Sequence, residues 1–400
     1  MHGEARSRRS VLRAGGLIGL LAGAGSTLGG RAMSEPVTPS RGGVWIPLLA
    51  DPDAVIVVGT LLGERVRVLI DTGAAATIVD RPLARRLGLR TDGNRSVRGD
   101  IGSVALDAGG DITIDVGGVK VTANRYMVTD LSSIFGVDAG APNLILGADA
   151  LKDVVLEIDF PGRRLALWPR ASFVPPSGAG RFSVAKSARG QLAIVVSLEG
   201  QEPVAAALDL GSSNPLTVSP TLADAQGLLQ GRRISSAATG GVDGISISKT
   251  VSVATLQIGR SLLKDVPCEV LAKSDASLVP AKLGLPVLER YLFALDVTGL
   301  ALWLQPAQRQ LGGPFRRDLS GLGLAIEADR LRVVHVAQGG PAAVAGWRDG
   351  ETITAVNGMA IGPDYVARGL AQWRYGPVGA KVELSMSDGS KRTIVLQRYY

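Results

Sequence analysis

The chain repeats itself, and that repeat constrains its fold more than anything else in the sequence. Two segments, from about Ile46 to Arg170 and from about Leu192 to Pro306, carry four landmarks in the same order. Ile70-Asp71-Thr72-Gly73-Ala74-Ala75 is answered by Leu208-Asp209-Leu210-Gly211-Ser212-Ser213, and Leu146-Gly147-Ala148 by Leu283-Gly284-Leu285. Glu157-Ile158-Asp159-Phe160 is answered by Ala294-Leu295-Asp296-Val297, and Leu165-Ala166-Leu167-Trp168 recurs letter for letter as Leu300-Ala301-Leu302-Trp303. Asp209 lies 138 residues after Asp71, and Trp303 lies 135 after Trp168. A spacing this long and this constant marks the duplication of a whole domain, not a short-period solenoid.

Each copy reads as β. Alternating or continuous apolar runs at Ala54–Val58 and Arg65–Ile70 flank a glycine-containing turn. Asp111–Val116 and Val119–Val128 form another pair around Gly117-Gly118, and Val154–Phe160 with Arg163–Leu167 form a hairpin around Pro161-Gly162. One short helix is predicted over Arg81–Leu87, with Pro82 in its first turn.

The composition removes several chemistries. At 46% apolar and 20% charged the chain is of the core-forming globular kind. The formal charge of +7 is concentrated near the start, where five arginines stand against Glu4 within residues 1–32, so +3 remains beyond them. No basic run interleaved with aromatics appears, and no nucleic-acid partner is expected. Cys268 is the only cysteine, and His335 is the only histidine past position 2. A His- or Cys-rich zinc site cannot be assembled from these, and a histidine-based triad would have to use His335, in a predicted strand far along the chain. Neither a metal nor an organic cofactor is expected. Carboxylates are the chemistry left.

Asp71 follows an apolar strand directly and is followed by Gly73 and small residues that let the chain turn sharply and let a second backbone approach. An aspartate presented this way becomes useful when it meets another. Two carboxyl groups in hydrogen-bond range cannot both ionise cheaply, so they share a proton and together hold and activate a water. Asp71-Thr72-Gly73-Ala74 after its strand, with Leu144-Ile145-Leu146-Gly147 and a short helix downstream, resembles the retropepsin-like aspartic peptidases. The resemblance implies a mainly β fold: two retropepsin-like lobes in tandem, with Asp71 and Asp209 as the catalytic pair and Thr72, Gly73, Gly211 and Ser212 supporting the loops. It also implies that the Ser212 hydroxyl donates to Asp209, holding it ionised and leaving the shared proton on Asp71. Thr72 would reach the partner loop's backbone, which Leu210 cannot do. Lys282 stands where the family has an apolar residue. Flap hairpins are sought at Arg98-Gly99-Asp100-Ile101-Gly102-Ser103 and at Thr239-Gly240-Gly241-Val242-Asp243-Gly244.

From Asp318 the pattern changes. Gly321-Leu322-Gly323-Leu324 precedes a strand, Leu331–Val336 is a second strand, and the run from Gly339-Gly340-Pro341 to Val356-Asn357-Gly358 resembles bacterial PDZ domains. That resemblance implies capture of an extended peptide, with the N–H groups of Gly321, Leu322, Gly323 and Leu324 receiving a carboxylate and a helix around Tyr365–Trp373 walling the pocket. At the other end, Ser7-Arg8-Arg9-Ser10-Val11-Leu12-Arg13 followed by apolar Ala14–Leu28 resembles a twin-arginine export signal, with a cleavage site at Gly30-Arg31-Ala32.

The expected organisation is a signal at 1–32, a linker at 33–45, lobe 1 at 46–170, a linker at 171–191, lobe 2 at 192–308, a linker at 309–317 and a PDZ domain at 318–400. The expected activity is hydrolysis of peptide bonds in polypeptide substrates, in the periplasm or otherwise outside the bacterial cytoplasm, without a lasting membrane anchor once the signal is cleaved. Two rivals stand beside it: an inactive peptide-binding protein with degenerate lobes, and a homodimeric peptidase pairing Asp71 from two chains.

Overall fold

A computed structural model describes residues 44–51, 53–98, 103–135, 140–241, 244–276, 278–366 and 368–400. The export segment, most of the first linker and the tips of both flap stretches lie outside them. The fold is mainly β.

In the first unit the strands that matter are β1 (Ile56–Leu61), β2 (Glu64–Ile70), β3 (Thr77–Asp80), β4 (Thr91–Arg98), β5 (Ser103–Gly109), β6 (Tyr126–Thr129) and β7 (Leu144–Leu146). In the second they are β8 (Leu192–Leu198), β9 (Val204–Asp209), β10 (Leu216–Val218), β11 (Ser235–Gly241), β12 (Gly244–Ile258), β13 (Ser261–Val270) and β14 (Ala281–Gly284). The first sheet runs β1-β2-β7-β3-β6-β5-β4 and the second β8-β9-β14-β10-β13-β12-β11. Pairing directions repeat as well. β7 lies parallel to β2 and antiparallel to β3, while β3 is parallel to β6. β14 lies parallel to β9 and antiparallel to β10, while β10 is parallel to β13. Such short buried strands as Leu144-Ile145-Leu146, apolar throughout, suit the middle of a sheet covered on both faces.

A third sheet joins the units. The hairpins Val154–Asp159/Arg164–Pro169 and Tyr291–Asp296/Ala301–Pro306 pair through their first strands, antiparallel, with Glu157 opposite Ala294. Glu157 and Ala294 are repeat equivalents, so equivalent residues meet each other. That is the signature of a two-fold relation between the copies, here within one chain. One apolar core runs through both units, including Ile70, Leu146, Leu208, Leu283 and Phe293. The C-terminal part has a separate core around Leu324, Val333, Trp347, Ile353 and Leu384.

Three boundaries differ from the sequence reading. The run Val119–Val128 is two strands, Val119–Ala123 and β6, because Asn124-Arg125 turn the chain away to pair with β3. The helix sought at Tyr365–Trp373 is a turn of 3-10 helix at Leu370–Tyr375, preceded by left-handed Gly369. The strand β15 (Leu322–Glu327) begins inside the glycine-rich stretch that was expected to precede it, and pairs with β16 (Arg330–Val336).

Candidate active site

β2 buries Val66, Val68 and Ile70 and releases the chain at Asp71, whose N–H still donates to the Leu146 carbonyl, 3.0 Å away. The loop then folds back on β7, the Ala148 N–H donating to the Ala74 carbonyl at 2.9 Å. In the second unit the Leu285 N–H donates to the Ser212 carbonyl at 2.9 Å, which is the same bond one repeat later. Gly147 and Gly284 explain why a glycine follows each of these strands. A Cβ on Gly147 would stand 2.7 Å from the Ala76 carbonyl, and one on Gly284 would stand 1.9 Å from that of Asn214.

The two loops meet reciprocally. A Cβ on Gly73 would lie 2.4 Å from the Asp209 carboxylate, and a Cβ on Gly211 would lie 2.4 Å from that of Asp71. Each aspartate thus rests against the glycine of the other loop. Within its own loop Asp71 Oδ1 accepts from the Gly73 N–H (2.8 Å) and the Ala74 N–H (3.1 Å), and Asp209 Oδ1 accepts from the Gly211 N–H (3.0 Å). Thr72 Oγ1 donates to the Leu208 carbonyl (2.9 Å) and accepts from the Leu210 N–H (3.1 Å), bracing one loop on the other. The brace is one-sided, since Leu210 occupies the equivalent place and is fully buried in the core. Thr72→Val should leave the Leu210 N–H buried without an acceptor, a loss of about 1–3 kcal/mol. Urea denaturation of the two proteins measures it, and an unchanged midpoint would count against the brace.

Burial raises the Asp71 carboxyl first, and the negative charge of Asp209 together with a hydrogen bond between the two side chains raises it further. The N–H groups of Gly73 and Ala74 pull the other way, and the outcome is a value pushed up to about 7. Asp71 therefore keeps a proton over a pH range in which an ordinary aspartate is ionised.

Two features depart from the sequence reading. Among the described residues no hydrogen bond joins Ser212 Oγ to Asp209. The backbone of Ser212 is held by the Asp209 carbonyl (3.3 Å) and by Leu285. The group that does reach Asp209 is Lys282, whose Nζ lies 3.3 Å from Oδ2, both side chains being less than one-fifth exposed. Glu269 was not singled out by sequence. From β13 it accepts from Thr239 Oγ1 (2.7 Å) and from Asn214 Nδ2, tying the loop after Asp209 to the β11–β12 hairpin. A charged letter inside the apolar run Val266–Val270 was the only signal for it.

In the C-terminal part Leu322 and Leu324 are buried in the core. The Leu322 N–H, expected to be free for a carboxylate, donates to Ser320 Oγ at 3.1 Å. At the start of β15, an edge strand, Arg374 of the Leu370–Tyr375 turn donates to the Leu322 carbonyl and pairs with Asp318. This part also docks on β11, through Ser235 Oγ to the Gln338 carbonyl (2.8 Å) and Ser236 Oγ with His335 Nε2 (2.7 Å). A cavity of about 360 Å³ opens between them, lined among others by Asn214, Thr239, Glu269, Gly321 and Gly323.

Paired aspartates thus sit on equivalent strand–loop units, each crossing onto the other loop's glycine. The family model of the gag-polyprotein putative aspartyl protease matches residues 57–153, from β1 past the Gly147 turn and including Asp71. No curated protein matches the chain. Over those residues the first unit is similar to an aspartic-protease domain.

Proposed function

We propose that the chain is an aspartic endopeptidase whose catalytic pair, Asp71 and Asp209, forms within one polypeptide. The observation that carries this is the reciprocal seating of each carboxyl on the other loop's glycine. Asp209 takes a proton from a water held between the pair, and the hydroxyl oxygen bonds to the scissile carbonyl carbon. Asp71 donates its proton's hydrogen bond to the carbonyl oxygen. The tetrahedral centre then collapses, breaking the C–N bond as a proton passes to the departing nitrogen. The strand pairing of Glu157 with Ala294 supports two tandem lobes, which leaves no need for a second chain.

The PDZ-like run from Gly339 to Gly358 and the separate core support a peptide-recruiting domain at 318–400, with β15 as the edge to which a peptide adds. The Arg8-Arg9 segment supports export. Leu210 and the Lys282 ion pair favour the second reading, a lobe pair that binds peptides without cutting them.

Incubating the protein with an unfolded polypeptide, from acidic to neutral pH, separates the two readings. New termini found by mass spectrometry, suppressed by a statine-bearing peptide that imitates the hydrated carbonyl, are expected. Binding of that peptide without any cleavage would leave the second reading.

A further inference from the structure

We propose that Glu269 is a positioning residue for the loop that carries Asp209, and that through it the geometry of this loop depends on the docking of the C-terminal part onto β11. The consequence for catalysis rests on the aspartic-peptidase reading of the same site; the structural dependence does not.

The two units secure their aspartate loops differently. In the first the brace is internal. Thr77 Oγ1 donates to Asp149 Oδ1 at 2.9 Å and accepts from the Gly147 N–H at 3.3 Å, pinning the far end of the Asp71 loop to the turn after β7. In the second, Leu216 stands in the place of Thr77 and Pro286 in that of Asp149, so the same bonds cannot form. The register locates what replaces them. Ile78 pairs with Ile145 on one side and Met127 on the other, as Thr217 pairs with Lys282 and Glu269. Glu269 therefore occupies the place of Met127. Asn214 occupies that of Ala76, whose carbonyl crowds Gly147 as the Asn214 carbonyl crowds Gly284. In the first unit Met127 sits in an apolar cluster against which Ala76 packs. In the second, Asn214 Nδ2 donates to the Glu269 carboxylate.

Glu269 is 5% exposed, and a carboxylate so buried needs its oxygens satisfied. One donor comes from β11: Thr239 Oγ1, 2.7 Å from Oε1. β11 is itself held from the side away from Glu269. Ala238, next to Thr239 and so on the opposite face of the strand, is buried against Gly323 of β15, where an added Cβ would stand 3.2 Å from the Ala238 Cβ. Ser236, on the face of Ala238, shares a hydrogen bond with His335 at 2.7 Å and accepts from the Gln338 N–H at 3.2 Å. The tie runs from the C-terminal part through β11 and Glu269 to Asn214, on the loop that Asp209 opens. Loosening the grip on β11 lets Thr239 withdraw from Glu269. The Asp209 loop then loosens while the Asp71 loop keeps its internal brace.

The test is amide hydrogen exchange on the full chain, followed by NMR at the Gly284 and Leu285 N–H groups, which donate to the Pro215 and Ser212 carbonyls of the Asp209 loop. The Ala148 N–H, donating to the Ala74 carbonyl, is the reporter in the first unit. In Gly323→Val, which pushes β11 outward, and in Thr239→Val, exchange at Gly284 and Leu285 is expected to quicken by about tenfold, the scale of one lost buried hydrogen bond. Ala148 should hold, and Thr239→Ser, which keeps the hydroxyl, should restore the parent rates. Combined, the two valine variants should add little to either alone, because they cut one tie. For a short peptide substrate kcat should fall by a similar factor with KM unchanged. If Gly323→Val does not fold, Ser236→Ala carries the measurement. Parent-like exchange at Gly284 and Leu285 in either folded variant, or equal quickening at Ala148, overturns the inference. Quickened exchange confined to the second unit, in a chain that never cuts peptides, leaves Glu269's role intact and removes the peptidase reading instead.

Discussion

Asp71→Asn is expected to lower peptide hydrolysis by about 10³-fold or more, the scale of losing a general acid–base group outright. The amide matches the carboxyl in shape and keeps an oxygen for the Gly73 and Ala74 N–H groups, so the loop stays in place while the transferable proton is lost. Asp209→Asn should be as damaging for the opposite reason, since an amide cannot take a proton from water. Full activity in Asp209→Asn, with a dimer seen by light scattering, would move the pair to two copies of Asp71. The same Asp71 variant has a second, less intuitive consequence. A carboxyl held protonated up to about 7 in the fold, against 3.8 in the unfolded chain, supports the fold fully below the lower value. That support is lost as pH rises through the higher one. Asn carries no such liability. Asp71→Asn should therefore melt with the parent protein at acidic pH and above it at pH near 8. The gap is a few kcal/mol at most, because the carboxyl keeps some contact with water. Calorimetry at the two pH values checks it, and a lower melting temperature for the variant near pH 8 would contradict the raised carboxyl.

Much of this site was legible because duplication writes it twice. Asp71 stands out by its strand and the Thr72-Gly73-Ala74 that follows, Asp209 only when the copies are aligned, and the glycines after each aspartate and each short apolar strand mark where backbones crowd. The strand before the first loop reads well for a plainer reason: Val66 and Val68 alternate with Arg65 and Arg67, and the run closes on apolar Leu69-Ile70 at the loop. Pairings between distant side chains were not legible. Lys282 was visible as a charge in an apolar slot, but nothing local says that it reaches Asp209 on the neighbouring parallel strand. Ser212, by contrast, occupies the expected position and turns its backbone to the task. The helix sought near Tyr365 has apolar residues to bury but is interrupted by Gly369, whose positive φ ends one turn before the next begins. In the C-terminal part the edge carbonyl of Leu322 meets Arg374 from 52 residues further on, a contact no pattern of spacing announces.

Gly211→Ala is the second variant expected to have a large effect, and it separates a working pair from two aspartates that happen to be near. The backbone of Gly211 is not in the left-handed region, so alanine meets no conformational penalty there. The obstacle is space alone: the added methyl would stand 2.4 Å from Asp71 Cγ and Oδ2. Asp71 is a short side chain already held by two N–H groups, so it has little room to yield, and either its carboxyl swings away or the loops part by about an ångström. Overpacking of this kind destabilises by about 1–3 kcal/mol. The effect on chemistry is larger, because a misplacement of about 1 Å costs about 10²-fold in rate. Freed from contact with Asp209, Asp71 should also lose its proton earlier, moving the limb near 7 toward the ordinary carboxylate range. Gly110→Ala is the control, since nothing lies within 4 Å of its added methyl, and its rate and melting temperature should match the parent's. Parent-like turnover and an unmoved upper limb in Gly211→Ala would mean that the glycine's closeness to Asp71 plays no part in catalysis.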